Sequence, residues 1–168
     1  MAATLKYRII ELLSKEVSTL YSISDIAKKL GVAYSHAHTF ITKLAQENAV
    51  SIQKIGNVSV CRLNLKQPMT LAYLSVIESR KALEWARKNP QSAKILERIE
   101  QVKDSVHAVL IKNNRIIIIV PEKISGVDFS AFRNRSVMNR THLARNRQYY
   151  KDCIVLHGAE KYWSMLAE

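Results

Sequence analysis

Ser22–Gln46 reads SISDIAKKLGVAYSHAHTFITKLAQ, and its spacing decides the fold of the first part of the chain. The Ser22 hydroxyl is suited to cap a helix. Asp25, three residues on, completes a capping box and sets a negative charge at the positive helix end. A helix is therefore predicted from near Ser24, with Ile26, Ala27 and Leu30 on one apolar face, and Gly31 stands where a left-handed residue would stop it. After a turn over Gly31, Val32 and Ala33, a second helix is predicted over 34–47. Its Ala37, Phe40, Ile41 and Leu44 fall at i, i+3, i+4 and i+7, the spacing of a core-facing stripe. The opposite stripe, Ser35, His38, Thr39 and Thr42, is polar and compact, with Tyr34 at the helix start and His36 and Lys43 on its flanks. Short hydroxyl and imidazole side chains allow close approach to base edges in a major groove, and threonine methyls suit thymine methyls. The plainer reading of the same stripe is a solvated helix face.

Val50–Leu65, VSIQKIGNVSVCRLNL, carries β-branched residues on both sides of Gly56-Asn57, a two-residue hairpin signal. That turn sets Ile55 opposite Val58. Val50, Ile52, Cys61 and Leu63 then share one face, and Ser51, Gln53, Val60 and Arg62 the other. Upstream, Leu5, Ile9, Leu12 and Leu13 form the stripe of a first helix over 4–13. Three helices and a hairpin over 1–66 resemble the winged helix-turn-helix regulators. The resemblance implies double-stranded DNA as partner, bound as a homodimer on a two-fold site, with Tyr34, Ser35, His36, His38, Thr39, Thr42 and Lys43 at the groove. Lys54 and Arg62 are the wing cations for phosphates, and a wing with only a structural role is the alternative.

Composition narrows the remaining classes. The chain has 168 residues, is 48% hydrophobic and has a formal net charge of +12, which favours packed domains and polyanionic partners over disorder. Residues 1–66 hold nine Lys or Arg against four acids, 67–104 hold seven against five, and 105–168 hold ten against five. Two basic modules flanking a more neutral connector would bind nucleic acid with strong salt dependence. No apolar run approaches the ~20 residues of a membrane span, and the start MAATLKYRIIELL lacks signal-peptide regions, so a cytoplasmic protein with no membrane partner is expected. Cys61 and Cys153 are far apart, and none of the five His residues has ligand spacing with Cys or acid partners. No metal or cofactor is expected.

Pro68–Lys88 reads as one long helix, opened by a proline suited to the first turn and closed by Asn89-Pro90, and a further helix is predicted over 91–103. The long helix has more apolar residues than a small winged helix covers. It is therefore either a dimerisation element or a strut between domains. In the last part, HAVLI (107–111) and IIIIV (116–120) flank a tight turn, and the unbroken isoleucine run implies a strand covered on both faces. A third strand is predicted over 153–156, and Gly158 opens a final helix over 159–167. The fold class is thus α+β: an N-terminal winged helix (1–66), a helical connector (67–104) and a small C-terminal α/β domain (105–168).

The order LKQPMTLAYL, strands, then IVLHGAEKYWSMLAE resembles an archaeal-type architecture in which a winged helix precedes a nucleotidyltransferase-like domain. That family implies a Gly-Ser turn after the first strand and an Asp-x-Asp pair on the next, to hold phosphates and divalent metal. This sequence has IKNNR and IIIIVPEK at those places, so no catalytic residue is expected and a degenerate, non-enzymatic domain is the reading. A nucleotidyltransferase-type enzyme remains the alternative. Between Asp128 and Asp152, which bracket the segment, stand Arg133, Arg135, Arg140, Arg145 and Arg147 with no acid. Guanidinium groups in that density suit RNA or a phosphorylated ligand as a second surface, or a solvated face neutralised by acids elsewhere.

Overall fold

The computed structural model describes residues 4–124, 126–150 and 152–167, the side chains of Arg147 and Gln148 excepted. The protein is a mixed α+β chain of two units, residues 1–74 and 75–168. The division falls inside the long helix, whose first turns belong to one unit and the remainder to the other.

The first unit begins with α1 (Leu5–Lys15), followed by a short strand β1 (Tyr21–Ser22), α2 (Ile23–Leu30) and α3 (Tyr34–Gln46). The capping box forms: the Ser22 Oγ accepts from the Asp25 backbone N–H at 3.0 Å and lies 2.6 Å from the Asp25 carboxylate. Gly31 takes the left-handed conformation at φ 64°, and the Val32 N–H reaches back to the Ala27 carbonyl, closing α2. Asn48, at φ 56°, ends α3 in the same manner, with the Ala49 N–H on the Leu44 carbonyl. Ala37, Ile41 and Leu44 are buried, as the helical spacing predicts, while Phe40 is only half-buried. On α1, Ile10 joins Ile9 and Leu13 in the core, and the predicted Leu5 and Leu12 stay half-buried.

β2 (Val50–Ile55) and β3 (Val58–Leu63) pair in the predicted register, Ile55 opposite Val58 and Val50 opposite Leu63. Sequence reasoning missed β1, which pairs with β3 through Tyr21 and Cys61. Two residues are too few for a periodic signal, and only the long-range partner makes them a strand. The sheet order is β1-β3-β2, so β2 is an edge. Beyond Val50 every β2 residue is exposed, Ile52 included, so its shared face with Cys61 does not bury it. The α4 helix (Pro68–Lys88) follows. Its Thr70 hydroxyl donates to the Ala49 carbonyl, and its Tyr73 hydroxyl donates at 2.6 Å to the Glu47 carboxylate, which also holds Lys6 at 2.7 Å.

In the second unit, α5 (Ser92–Val102) and a 3-10 turn (Lys103–Ser105) lead into β4 (Ala108–Lys112) and β5 (Arg115–Val120). Then come β6 (Arg135–Asn139), α6 (Arg140–Arg145), α7 (Arg147–Tyr150), β7 (Ile154–His157) and α8 (Ala159–Leu166). The sheet order is β6-β5-β4-β7, with β6 parallel to β5 and the other pairs antiparallel. β5 is therefore an interior strand. Ile116 through Val120 are all buried, in line with the isoleucine run. One face packs Val109, Ile111, Ile116, Ile118 and Val120 with Ile99, Val106 and Phe132, and Trp85 and Ile95 close over it. The sequence does not predict β6: its RSVMN has one adjacent apolar pair, Val137 and Met138, with no alternation, and a parallel partner must arrive by a long crossover. At the outer edge of β7, the buried Glu78 carboxylate of α4 accepts from the Val155 N–H at 3.4 Å and pairs with Lys81 at 3.0 Å.

Candidate nucleic-acid interface

α2 and α3 form a helix-turn-helix whose parts are fixed by polar ties. The Asp25 carboxyl is held below its ordinary value first by the Ser22 hydroxyl, then by the Ser22 backbone contact and by Lys28 and Lys29. At the other end of α2, the Arg8 guanidinium donates to the Leu30 carbonyl at 2.7 Å, placing a cation at the negative helix end. With Ala37, Ile41 and Leu44 turned inward, α3 presents its opposite stripe outward.

Tyr34, Ser35, His36, His38, Thr39 and Lys43 are exposed, and no carboxylate stands among them. Thr42 shares the outward stripe with Ser35 and Thr39 but is half-buried where those two are exposed. The Thr39 hydroxyl donates to the Ser35 carbonyl at 2.9 Å. Its hydrogen is thereby committed, which leaves an acceptor oxygen and a methyl group for an incoming surface. Donors on this face are then the Ser35 hydroxyl, the two imidazoles, the Tyr34 phenol and the Lys43 ammonium. The Tyr34 and His38 rings lie 5.9 Å apart, a contact that holds His38 against the start of the helix.

The wing cations do not act as a pair. Lys54 stands opposite Ser59 and Arg62 opposite Ser51, and alternation sends the two side chains to opposite faces of the hairpin. The wing also exposes apolar side chains: Ile52, Ile55 and Val58 are each about half exposed. Both Lys54 and Arg62 are themselves exposed.

The arginine segment is not one surface. Arg135 opens β6 and Arg140 follows its end, so five residues of strand, roughly 17 Å, separate them. Arg133 and Arg135 lie at the sheet end that holds the β4–β5 turn, where the Asn134 side-chain amide donates to the Asn114 carbonyl at 3.0 Å. Arg140 lies at the other end with Lys161 and His107, whose imidazole is pushed down by burial and then by those two cations. Arg145 is exposed at the end of α6, and the Arg147 side chain lies outside the described residues.

A cavity of about 860 Å³ borders β6 and α6, lined in part by Glu122, Ser136, Asn139, His142 and Tyr150. The Glu122 carboxylate in it accepts from Asn139 and Thr141, both at 2.9 Å. Among the described residues no three of His, Cys, Asp and Glu come together as a metal site would require. The thiols of Cys61 and Cys153 are both pushed up to about 11, chiefly by burial, so at neutral pH they are protonated and poor nucleophiles. No helix among the described residues is long and apolar enough to cross a membrane.

No protein-family profile matches the sequence, and no curated protein matches it. Among solved structures, a mutant of ZitR from Lactococcus lactis is similar over 62% of this chain and 75% of that one, at 16% identity and a TM-score of 0.39.

Proposed function

We propose that the first unit binds duplex DNA in a sequence-dependent way, with α3 in the major groove, and that the chain acts as a homodimeric transcriptional regulator. One observation carries this reading: the outward face of α3 gathers Tyr34, Ser35, His36, His38 and Thr39, exposed, short or aromatic, and free of carboxylates. Such side chains discriminate base edges, whereas Lys43, Lys54 and Arg62 supply charge to the backbone. Lys54 and Arg62 face opposite ways, so only one of them reaches phosphates beside a given groove.

Dimerisation is supported by α4. Within the second unit, Val76 and Leu83 are 52% and 61% exposed and stand seven residues apart, with Ser79 and Ala86 three positions after each. That alternation of large and small residues at an average spacing of 3.5 is the seam of a two-helix coiled coil. Val76→Glu with Leu83→Glu should convert the protein to a monomer in analytical ultracentrifugation.

In this reading the C-terminal unit, nucleotidyltransferase-like in its sequence order, works as a non-enzymatic module. Its carboxylates are dispersed, and Asp128 and Glu122 are each occupied by local hydroxyl, amide or backbone donors. The deciding experiment is selection of binding sites from fragmented genomic DNA at several salt concentrations. Recovery of a common motif is expected, with Thr39→Ala and His38→Ala relaxing base preference and Lys54→Ala weakening all sequences alike. Uniform affinity for random duplexes would sink the sequence-specific claim.

A further inference from the structure

The end of the C-terminal sheet at the β4–β5 turn concentrates positive charge around an exposed aromatic ring. Lys112 and Arg115 are direct cross-strand partners, so their side chains leave the same face side by side. Like charges in that position repel, and no acid in contact with Arg115 relieves it among the described residues. Arg133 and Arg135 reach the same end, because the backbone of Ile116 bonds to Asn134 and the Asn134 amide bonds to Asn114. Arg133, Arg135 and Arg115 are all exposed. Arg135 is braced by a bond to the Phe132 carbonyl at 3.1 Å. The one carboxylate near them, Asp128, is engaged by the Ser130 hydroxyl and N–H.

Tyr149 completes the cluster. Its ring is 54% exposed, and the Lys112 ammonium sits 4.5 Å from its centroid while donating to the Tyr149 carbonyl. Tyr150, buried, meets Tyr149 edge-on at 4.8 Å and fixes the ring's orientation. A rigid ring with an open surface, set among four cations, is the arrangement that stacks an unpaired base while its phosphates meet the cations. Bases in a duplex are stacked on one another and do not offer a face to such a ring.

We infer that this end of the second unit, Lys112, Arg115, Arg133 and Arg135 around Tyr149, is a binding surface for single-stranded nucleic acid, separate from the α3 face. The cations hold the backbone and Tyr149 holds one base. The surface contains two arginines of the segment singled out in the sequence and adds three residues from outside its arginine set. Arg140 and Arg145 do not belong to it.

The test is fluorescence anisotropy of the full chain with a labelled oligo-thymidylate of about 20 nucleotides, titrated across salt concentrations. Arg115→Ala with Arg133→Ala should weaken binding about tenfold or more and reduce the slope of log affinity against log salt by roughly 1.4, for two lost phosphate contacts. Tyr149→Ala should weaken binding about tenfold with the salt slope unchanged, and Tyr149→Phe should restore it. His38→Ala with Thr39→Ala, on the other unit, should leave this affinity within about twofold, so failure here and failure of the α3 reading are told apart. Absence of oligo-thymidylate binding overturns the proposal. So does equal binding by the Tyr149→Ala protein, or loss of binding in the α3 variant instead.

Discussion

The two hairpins of this chain have nearly the same design and opposite environments. β2–β3 turns at Gly56-Asn57, where Gly56 is left-handed, and β4–β5 at Asn113-Asn114, where both asparagines are, each in a two-residue loop. Yet β2 is exposed from Ser51 onward, while β5 is buried from Ile116 to its end. The difference lies in neighbours. β2 is the edge of its sheet, whereas β5 has β4 on one side and β6 on the other, with helices over its faces. A hairpin open at its tip is available to touch a partner, and one enclosed on both sides is a scaffold that displays only its turn.

The comparison breaks most visibly in the two sets of isoleucines. Ile118→Ala removes a side chain that is 0% exposed and should cost about 2–5 kcal/mol in denaturant unfolding, whereas Ile55→Ala should fall within about 0.5 kcal/mol. Equal costs would mean that the wing tip is packed in the folded protein. Glycines sharpen the point. Gly158, at φ 71° before α8, has the His107 carbonyl where a Cβ would stand, so Gly158→Ala should lower stability by more than about 2 kcal/mol. Gly56, at φ 59°, has open space there, and Gly56→Ala should cost only the backbone strain of about 1–2 kcal/mol. A thermal melt of each variant checks the order.

A smaller effect separates the wing-bearing unit by pH. Bonds from Lys6 and then Tyr73 hold the Glu47 carboxyl below its ordinary value of 4.5. Because the folded value is the lower one, the stability linked to Glu47 is present above the ordinary carboxylate range and is lost as pH falls through the depressed folded value. Glu47→Gln should therefore flatten the acid limb of the stability profile while leaving unfolding near neutral pH less favourable to the native state than in the parent. An unchanged acid limb would show that the Lys6–Glu47–Tyr73 tie does not persist in solution.

Where the sequence was legible, local chemistry was the reason. Ser22, Asp25 and Gly31 mark α2 because a capping hydroxyl, its acid and a left-handed stop act within a few residues of one another. Gly56-Asn57 fixes the wing register by itself, and the IIIIV run declares an interior strand. Illegible elements depend on distant partners. β1 is a strand only beside Cys61, β6 only beside β5, and Glu78 reads as a surface charge until the β7 edge is placed over it. The exposed pair Val76 and Leu83 can be counted in the sequence, but the core residues of α4 mask it until burial separates the two faces.

The candidate sites divide in the same way. Composition and spacing determined that this is a basic α+β chain with a helix-turn-helix, a wing, and an outward α3 face of hydroxyls and imidazoles. Only the tertiary structure decided that Thr42 is half-buried, that Lys54 and Arg62 part company, and that the arginines split between the two ends of a sheet. Helical and strand periodicity is set by bonds between near neighbours, so the sequence carries it. Which charges meet depends on strand order, crossover and register, and those are settled by packing between residues far apart in the chain.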